Sequence, residues 1–264
     1  MSRASVSRLS LTVFLASALA GAPAAHATSF EELVRRADMA TRSKTSAAVL
    51  EMHVKTASYQ RRMRLVFWQD DRGGRERVLI RILGPALWRG HGTLKIGSQL
   101  KLYNPRQNHV TVVGSSMLGD SWMGSHFSND DLVKETRLAR HYTAKLLKKW
   151  DGKSDIGAAT YYRFRLVPKP TAPVAWGKIV YTVLEKGTTV LPIKAAYFRK
   201  YRDRKPKRTM SFTDIKTMSG RKVPAVMTVR VMSKPGEFTR LTYRKLKLDI
   251  NIPASKFTEQ ALRR

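Results

Sequence analysis

Along residues 51–113 the chain alternates apolar and polar side chains with a period of two. Met52 and Val54 alternate with Glu51, His53 and Lys55. Met63, Leu65 and Phe67 alternate with Arg62, Arg64 and Val66. Val78, Ile80 and Ile82 alternate with Arg77, Leu79 and Arg81. Such alternation puts one side of each segment in a core and predicts half-buried strands. Gly73-Gly74 predicts a hairpin turn between the last two runs. Shorter strands are predicted over 93–96, 99–103 and 109–113, with Asn104-Pro105 turning the chain between the last two. Ahead of the strands, 29–37 (SFEELVRRA) predicts one short helix, capped by Ser29, with acids in its first turn and arginines in its last.

Period-two patterning returns over 161–167, 178–184, 192–199, 209–215, 223–231 and 239–248. Phe164, Tyr181, Tyr197, Phe212, Met227 and Val229 fall on the expected buried faces. Pro192 and Pro224 predict strand edges or strand starts. Between the two strand-rich regions, 117–140 is different. Gly and Ser come early, and SNDDLVKE at 128–135 reads as a helix start with several potential caps. Links this short favour antiparallel pairing, because parallel strands need long crossovers. The expected fold is mainly β (α+β): a single curved antiparallel sheet forming an incomplete barrel, with a few lid helices. A sheet of about twelve strands tends to curl, and its inner face would offer a hydrophobic ligand an apolar surface.

The first residues have the three-part build of a secretory signal. Arg3 and Arg8 precede an apolar stretch at 9–21, and Ala25-His26-Ala27 fits a small-x-small cleavage pattern. That stretch is shorter than the roughly 18–20 residues that span a bilayer as a helix. The expected organisation is a signal at 1–27 and one domain at 28–264, located in the periplasm. No cysteine follows the cleavage point to carry a lipid, so a free, untethered protein is expected. The absence of cysteine from the whole chain excludes disulfides and thiolate metal sites. With 50 basic and 19 acidic residues the chain carries a net charge of +31, a field that attracts polyanions. Export disfavours nucleic acid as the partner and leaves anionic lipid headgroups and acidic proteins. The plainer alternative is that the charge keeps a β-rich carrier in solution.

A search for catalytic groups finds little. The histidines lack metal-ligand spacing, and neither a GxSxG elbow nor a phosphate-binding glycine loop is present. No catalytic residue, metal or cofactor is assigned, and a non-enzyme is expected. Asp130-Asp131 reads as helix capping. The basic run at 199–208 (RKYRDRKPKR) reads either as a headgroup- or partner-binding loop or as a solvated hairpin tip. Residues 117–127 (MLGDSWMGSHF) mix Met and aromatics with small residues and fit neither helix nor strand. They read either as a core plug or as a mobile lid over an acyl-chain cavity.

The stretch SSMLGDSWMGSHFSNDDLVKE at 115–135 closely resembles the motif of the bacterial outer-membrane lipoprotein-sorting protein family, related to the LolA and LolB carriers. RILGP at 81–85 with GHGTL at 90–94, LYNP at 102–105 and LKLDINIPASKFT at 246–258 agree in order. Two features depart from the family pattern: the strongly basic balance, and Lys101 where the family has Trp. The resemblance implies a half-barrel whose cavity and lid hold acyl chains of a lipid or lipoprotein. It also implies a periplasmic carrier that works toward the outer membrane, often with an inner-membrane transporter of the RND/MMPL or ABC exporter type. A monomer in transient membrane contact is expected; a lipid-sensing adaptor of an envelope transporter is the alternative. Met117, Leu118, Trp122, Met123 and Phe127 map to the lid motif. Leu65, Phe67, Ile80, Ile82, Leu102, Phe164, Tyr181, Tyr197, Phe212 and Met227 are the candidate cavity residues. Arg62, Arg64 and Arg81 are candidates for attracting headgroups at the rim.

Overall fold

A computed structural model describes residues 29–133 and 138–264, together with Met1. The signal-like stretch, with its cleavage pattern, lies outside the described residues. Helix α1 spans Phe30–Asp38, and the Ser29 hydroxyl accepts the Glu32 N–H at 3.1 Å, the cap expected from the sequence. Six strands follow: β1 (Thr45–Lys55), β2 (Gln60–Asp70), β3 (Arg77–Gly84), β4 (Gly92–Ile96), β5 (Gln99–Asn104) and β6 (His109–Val112). An irregular segment carries α2 (Asn129–Val133), and α3 (Leu138–His141) comes after it. Seven more strands complete the sheet: β7 (Tyr142–Ser154), β8 (Gly157–Pro168), β9 (Lys178–Lys186), β10 (Thr189–Phe198), β11 (Arg208–Met218), β12 (Arg221–Val231) and β13 (Phe238–Leu248). A short helix, α4 (Glu259–Arg263), ends the chain.

All thirteen strands form one sheet in the order β6-β5-β4-β3-β2-β1-β13-β12-β11-β10-β9-β8-β7. The two meanders meet where β1 pairs with β13, with Leu50 opposite Tyr243 and Met52 opposite Leu241. Every neighbouring pair is antiparallel, and the sheet is curved but not closed into a barrel. Its two free edges are blunted differently. β6 has only four residues, and β7 carries Lys145, Lys148, Lys149 and Lys153, which discourage pairing with another chain.

Side-chain alternation gives the sheet an inner and an outer face. On the inner face Met52, Val54, Met63, Leu65, Ile80 and Ile82 form one cluster with Trp122 and Phe127. A second inner cluster lies where α1 packs Leu33, Val34 and Ala37 against Phe164, Ile179, Tyr181 and Tyr197. Met210 touches both. At the β3–β5 end the outer face is covered by the C-terminal segment, with Ile252, Phe257 and Leu262 on Leu79, Leu94 and Tyr103.

Three strands differ from the sequence expectation. β7 is a full strand that the alternation did not reveal, because a bulge between Leu146 and Lys148 shifts the period and leaves Leu147 exposed. Pro192 lies inside β10 rather than at its edge or start, at a bulge where a missing N–H breaks no regular ladder. Pro224 lies inside β12, beyond the stretch paired with β13, which runs only from Val226 to Val229.

Candidate functional site

The segment 115–133 crosses the inner face as a lid. It contains two 3₁₀ turns, Ser115–Met117 and Trp122–Gly124, and an isolated bridge between Ser121 and Ser128. Met123 and Gly124 both adopt left-handed backbone angles, which reverse the chain sharply and drive the Trp122 ring into the sheet. Trp122 is only 4% exposed, and its Nε1 donates to Thr93 Oγ1 of β4 at 3.0 Å. Phe127 is buried beside it, and Met123 and Leu132 pack at the margin. The indole and the phenyl ring therefore fill the inner face with the chain's own atoms.

Beside this apolar contact, polar ties around the plug hold the lid down. From β2, Arg61 donates to the Met123 carbonyl and lies over the Trp88 ring at 4.3 Å. Just ahead of β2, Tyr59 Oη donates to the Gly124 carbonyl. From β13, Thr239 Oγ1 accepts the His126 backbone N–H at 2.9 Å. The His126 ring contacts the same hydroxyl at 2.8 Å and Glu237 at 3.0 Å. The bonds from His126 and from the Ala57 N–H hold the Glu237 carboxyl below its ordinary value. From β11, Arg208 grips Asp131 with two hydrogen bonds of 2.6 and 2.9 Å while its guanidinium lies over Tyr197 and Trp176. Burial opposes the charge on Arg208, but the Asp131 bonds outweigh it and keep the guanidinium above its ordinary value. Asp131 also caps α2, accepting the Ser128 N–H at 2.9 Å, so the capping expectation describes one of its two roles.

The candidate residues divide between two places. Leu65, Ile80, Ile82, Trp122 and Phe127 belong to the lid cluster, with Phe67, Leu102, Met123 and Met227 against it. Phe164, Tyr181 and Tyr197 belong to the other cluster, under α1 rather than under the lid. Phe212, opposite Met227, is half-buried outside both clusters, as are Met117 and Leu118. Arg62 and Arg64 lie on the outer face, alternating with buried Met63 and Leu65. Arg81 is on the outer face too, where it donates to the Leu262 carbonyl at 3.0 Å. None of the three borders the inner face.

The strand pattern marks two functional residues not assigned to the site from the sequence: Arg61, and Arg208, which reads there only as the end of the basic run 199–208. Arg61 is in phase with Met63, Leu65 and Phe67, and Arg208 with Met210 and Phe212, so each points to the apolar side of its strand. Among the described residues no cluster of three or more His, Asp or Glu could hold a metal ion, and no helix is long and apolar enough to cross a membrane.

The model of a family described as "uncharacterized protein", DUF1329-like, matches residues 74–264. The chain belongs to that family. No curated protein matches it. Among solved structures, a DUF1329 family protein from Desulfovibrio piger is 21% identical, with a TM-score of 0.73 over 88% of this chain and 97% of that one. An outer membrane lipoprotein-sorting protein domain from Vibrio parahaemolyticus is 19% identical, with a TM-score of 0.69 over 89% and 98%. A LolA superfamily protein from Nitrosomonas europaea is 19% identical, with a TM-score of 0.66 over 88% and 98%. The DUF1329-like chain thus shares a LolA-like fold with these proteins, a single antiparallel sheet that does not close, with few helices.

Proposed function

We propose that this DUF1329-like protein is an exported carrier that holds the acyl chains of a lipid or lipoprotein on the inner face of its sheet. The observation that carries the reading is the lid: an apolar plug seated on an apolar sheet but fastened at its rim by polar ties. A plug of that kind can be exchanged for a ligand of the same chemistry, because the face beneath it is apolar apart from the Thr93 hydroxyl. Each acyl methylene that takes the place of the plug contributes about 0.8 kcal/mol, so one long chain offsets the release of Trp122 and Phe127. Loading and delivery need no covalent step. They need a donor and an acceptor with different affinities for the cargo, and a lid that opens. In this reading the carrier works in the periplasm, receives cargo beside an inner-membrane exporter and passes it toward the outer membrane. One structural neighbour, from Vibrio parahaemolyticus, is named for outer-membrane lipoprotein sorting, which agrees with that direction.

The test is native mass spectrometry of the mature protein recovered from its own envelope, followed by lipid extraction. Bound species with acyl chains are expected. Repeated recovery without lipid, together with no uptake of a fluorescent fatty acid in solution, would overturn the proposal.

A further inference from the structure

The outer face of the sheet is covered by the C-terminal segment at the β3–β5 end, and beyond it lies a basic surface that the lid does not use. Followed across the strands through their registers, one line of outer-face residues carries Lys148, Arg163, Lys194, Arg240 and Arg62, all exposed. The places between them are taken by Thr182, Ser211, Thr228 and His53, so the line contains no carboxylate. It crosses nine strands from β7 to β2, about 38 Å at the usual ~4.8 Å strand spacing. At its β2 end it opens into a groove of 570 Å³ bordered by Arg62, Arg64, Arg240, Arg244, His53 and Glu51. Glu51 is bound there to Arg244 at 2.6 Å.

Aromatic rings accompany the cations. Trp150, stacked on Tyr161 at 5.3 Å, has Arg163 over it at 5.3 Å and Lys148 at 5.7 Å. Phe238 lies under Arg240 at 5.1 Å and Arg230 at 5.9 Å. Tyr201, 51% exposed and within the basic run 199–208, has Lys178 at 5.6 Å and bonds to Arg165 at 3.3 Å. We infer that this outer face is a docking surface for an anionic lipid bilayer. The line is far longer than a single phosphate-bearing ligand, and its charge is complementary to a sheet of phosphate headgroups. Rings beside long cationic side chains suit a boundary that is wet on one side and apolar on the other. Docking through the outer face leaves the lid on the opposite face free to open. The inference does not depend on the acyl-carrier reading.

The test is co-sedimentation of the mature protein with phosphatidylcholine vesicles, with and without phosphatidylglycerol, over a range of salt. Binding to the anionic vesicles alone, weakening as salt rises, is expected. The variant R163E/K194E/R240E should lose about 100-fold in that affinity. R75E/R89E/R106E, which makes the same change of net charge in turns off the line, should lose much less. Should the charge reversals impair folding, K148Q/K194Q provides a milder version read in the same way. Uptake of a fluorescent fatty acid should be unchanged in the line variants, which separates this surface from the lid. Equal binding to neutral vesicles, equal loss in the two triple variants, or no binding would overturn the inference. So would soluble polyglutamate binding as tightly as the anionic vesicles, since that would assign the surface to an acidic protein.

Discussion

The substitution Trp122→Ala distinguishes a plug from an ordinary core residue, because the two roles give opposite effects on ligand affinity. The indole is 4% exposed in the cluster with Met52, Met63, Leu65 and Ile80, and it donates one hydrogen bond to Thr93. Truncating a buried Trp to Ala costs about 3–5 kcal/mol, of which a hydrogen bond accounts for about 1 kcal/mol. If the lid closes over empty sheet and opens to admit ligand, that loss falls on the closed state. A loss of about 3 kcal/mol multiplies the open population by about 150, and the apparent Kd falls by a factor approaching that until the open form predominates. Thr93→Val, which removes only the indole's acceptor, should tighten binding about 5-fold. The assay is fluorescence titration with a fatty-acid probe, run beside thermal unfolding of the same samples. Lower stability with unchanged or weaker affinity would refute the plug argument and make Trp122 a packing residue that the ligand never displaces.

Three further outcomes are expected. Asp131→Asn leaves Arg208 buried without its anion, a loss of about 3–5 kcal/mol, and should speed limited chymotrypsin cleavage at Trp122 or Phe127; unchanged cleavage despite a lower melting temperature would remove Arg208 from the lid's fastenings. Burial raises the Asp38 carboxyl from 3.8 to about 7, against the hydrogen bonds it accepts from Leu138 N and Tyr181 Oη. The folded state therefore keeps a proton that the unfolded chain gives up between those values, so this group lowers stability as pH rises from 4 to 7, by roughly 3–4 kcal/mol; Asp38→Asn should flatten the slope in urea titrations, and an unaltered slope would rule this group out. A Cβ at Gly177 would lie 2.9 Å from the Arg199 carbonyl and 3.0 Å from backbone atoms of Lys200 and Tyr201, so Gly177→Ala should cost about 1–3 kcal/mol; an unchanged urea midpoint would show that the basic loop yields freely.

Much of the fold could be read from the sequence because alternation survives wherever one strand face is buried and the other is wet. It failed at β7, where lysines fall on both faces and a bulge sets Leu146 beside Leu147. The C-terminal helix escaped notice because its five residues are too few to show a period. At the site, the Met- and aromatic-rich composition of 117–127 pointed to the lid, but not to which rings enter the sheet. That is decided by the backbone reversal at Met123 and Gly124. The two clusters of the inner face could not be told apart from strand pattern, since α1 and the lid each cover side chains of the same phase. The clamping arginines were legible. A charged residue in phase with an apolar face needs a partner, and Arg61 and Arg208 find theirs in the lid.

The placing of those fastenings has a mechanical consequence. They stand on or beside β2, β4, β11 and β13, so the lid spans six inter-strand gaps, about 29 Å of sheet at ~4.8 Å each. A closed barrel fixes its own radius through an unbroken ladder; an open sheet has no such hoop. Here the lid lies as a chord across the arc, tying together strands that the ladder connects only through their neighbours. Releasing it would do two things at once: uncover the inner face, and remove the cross-strand ties that brace the arc.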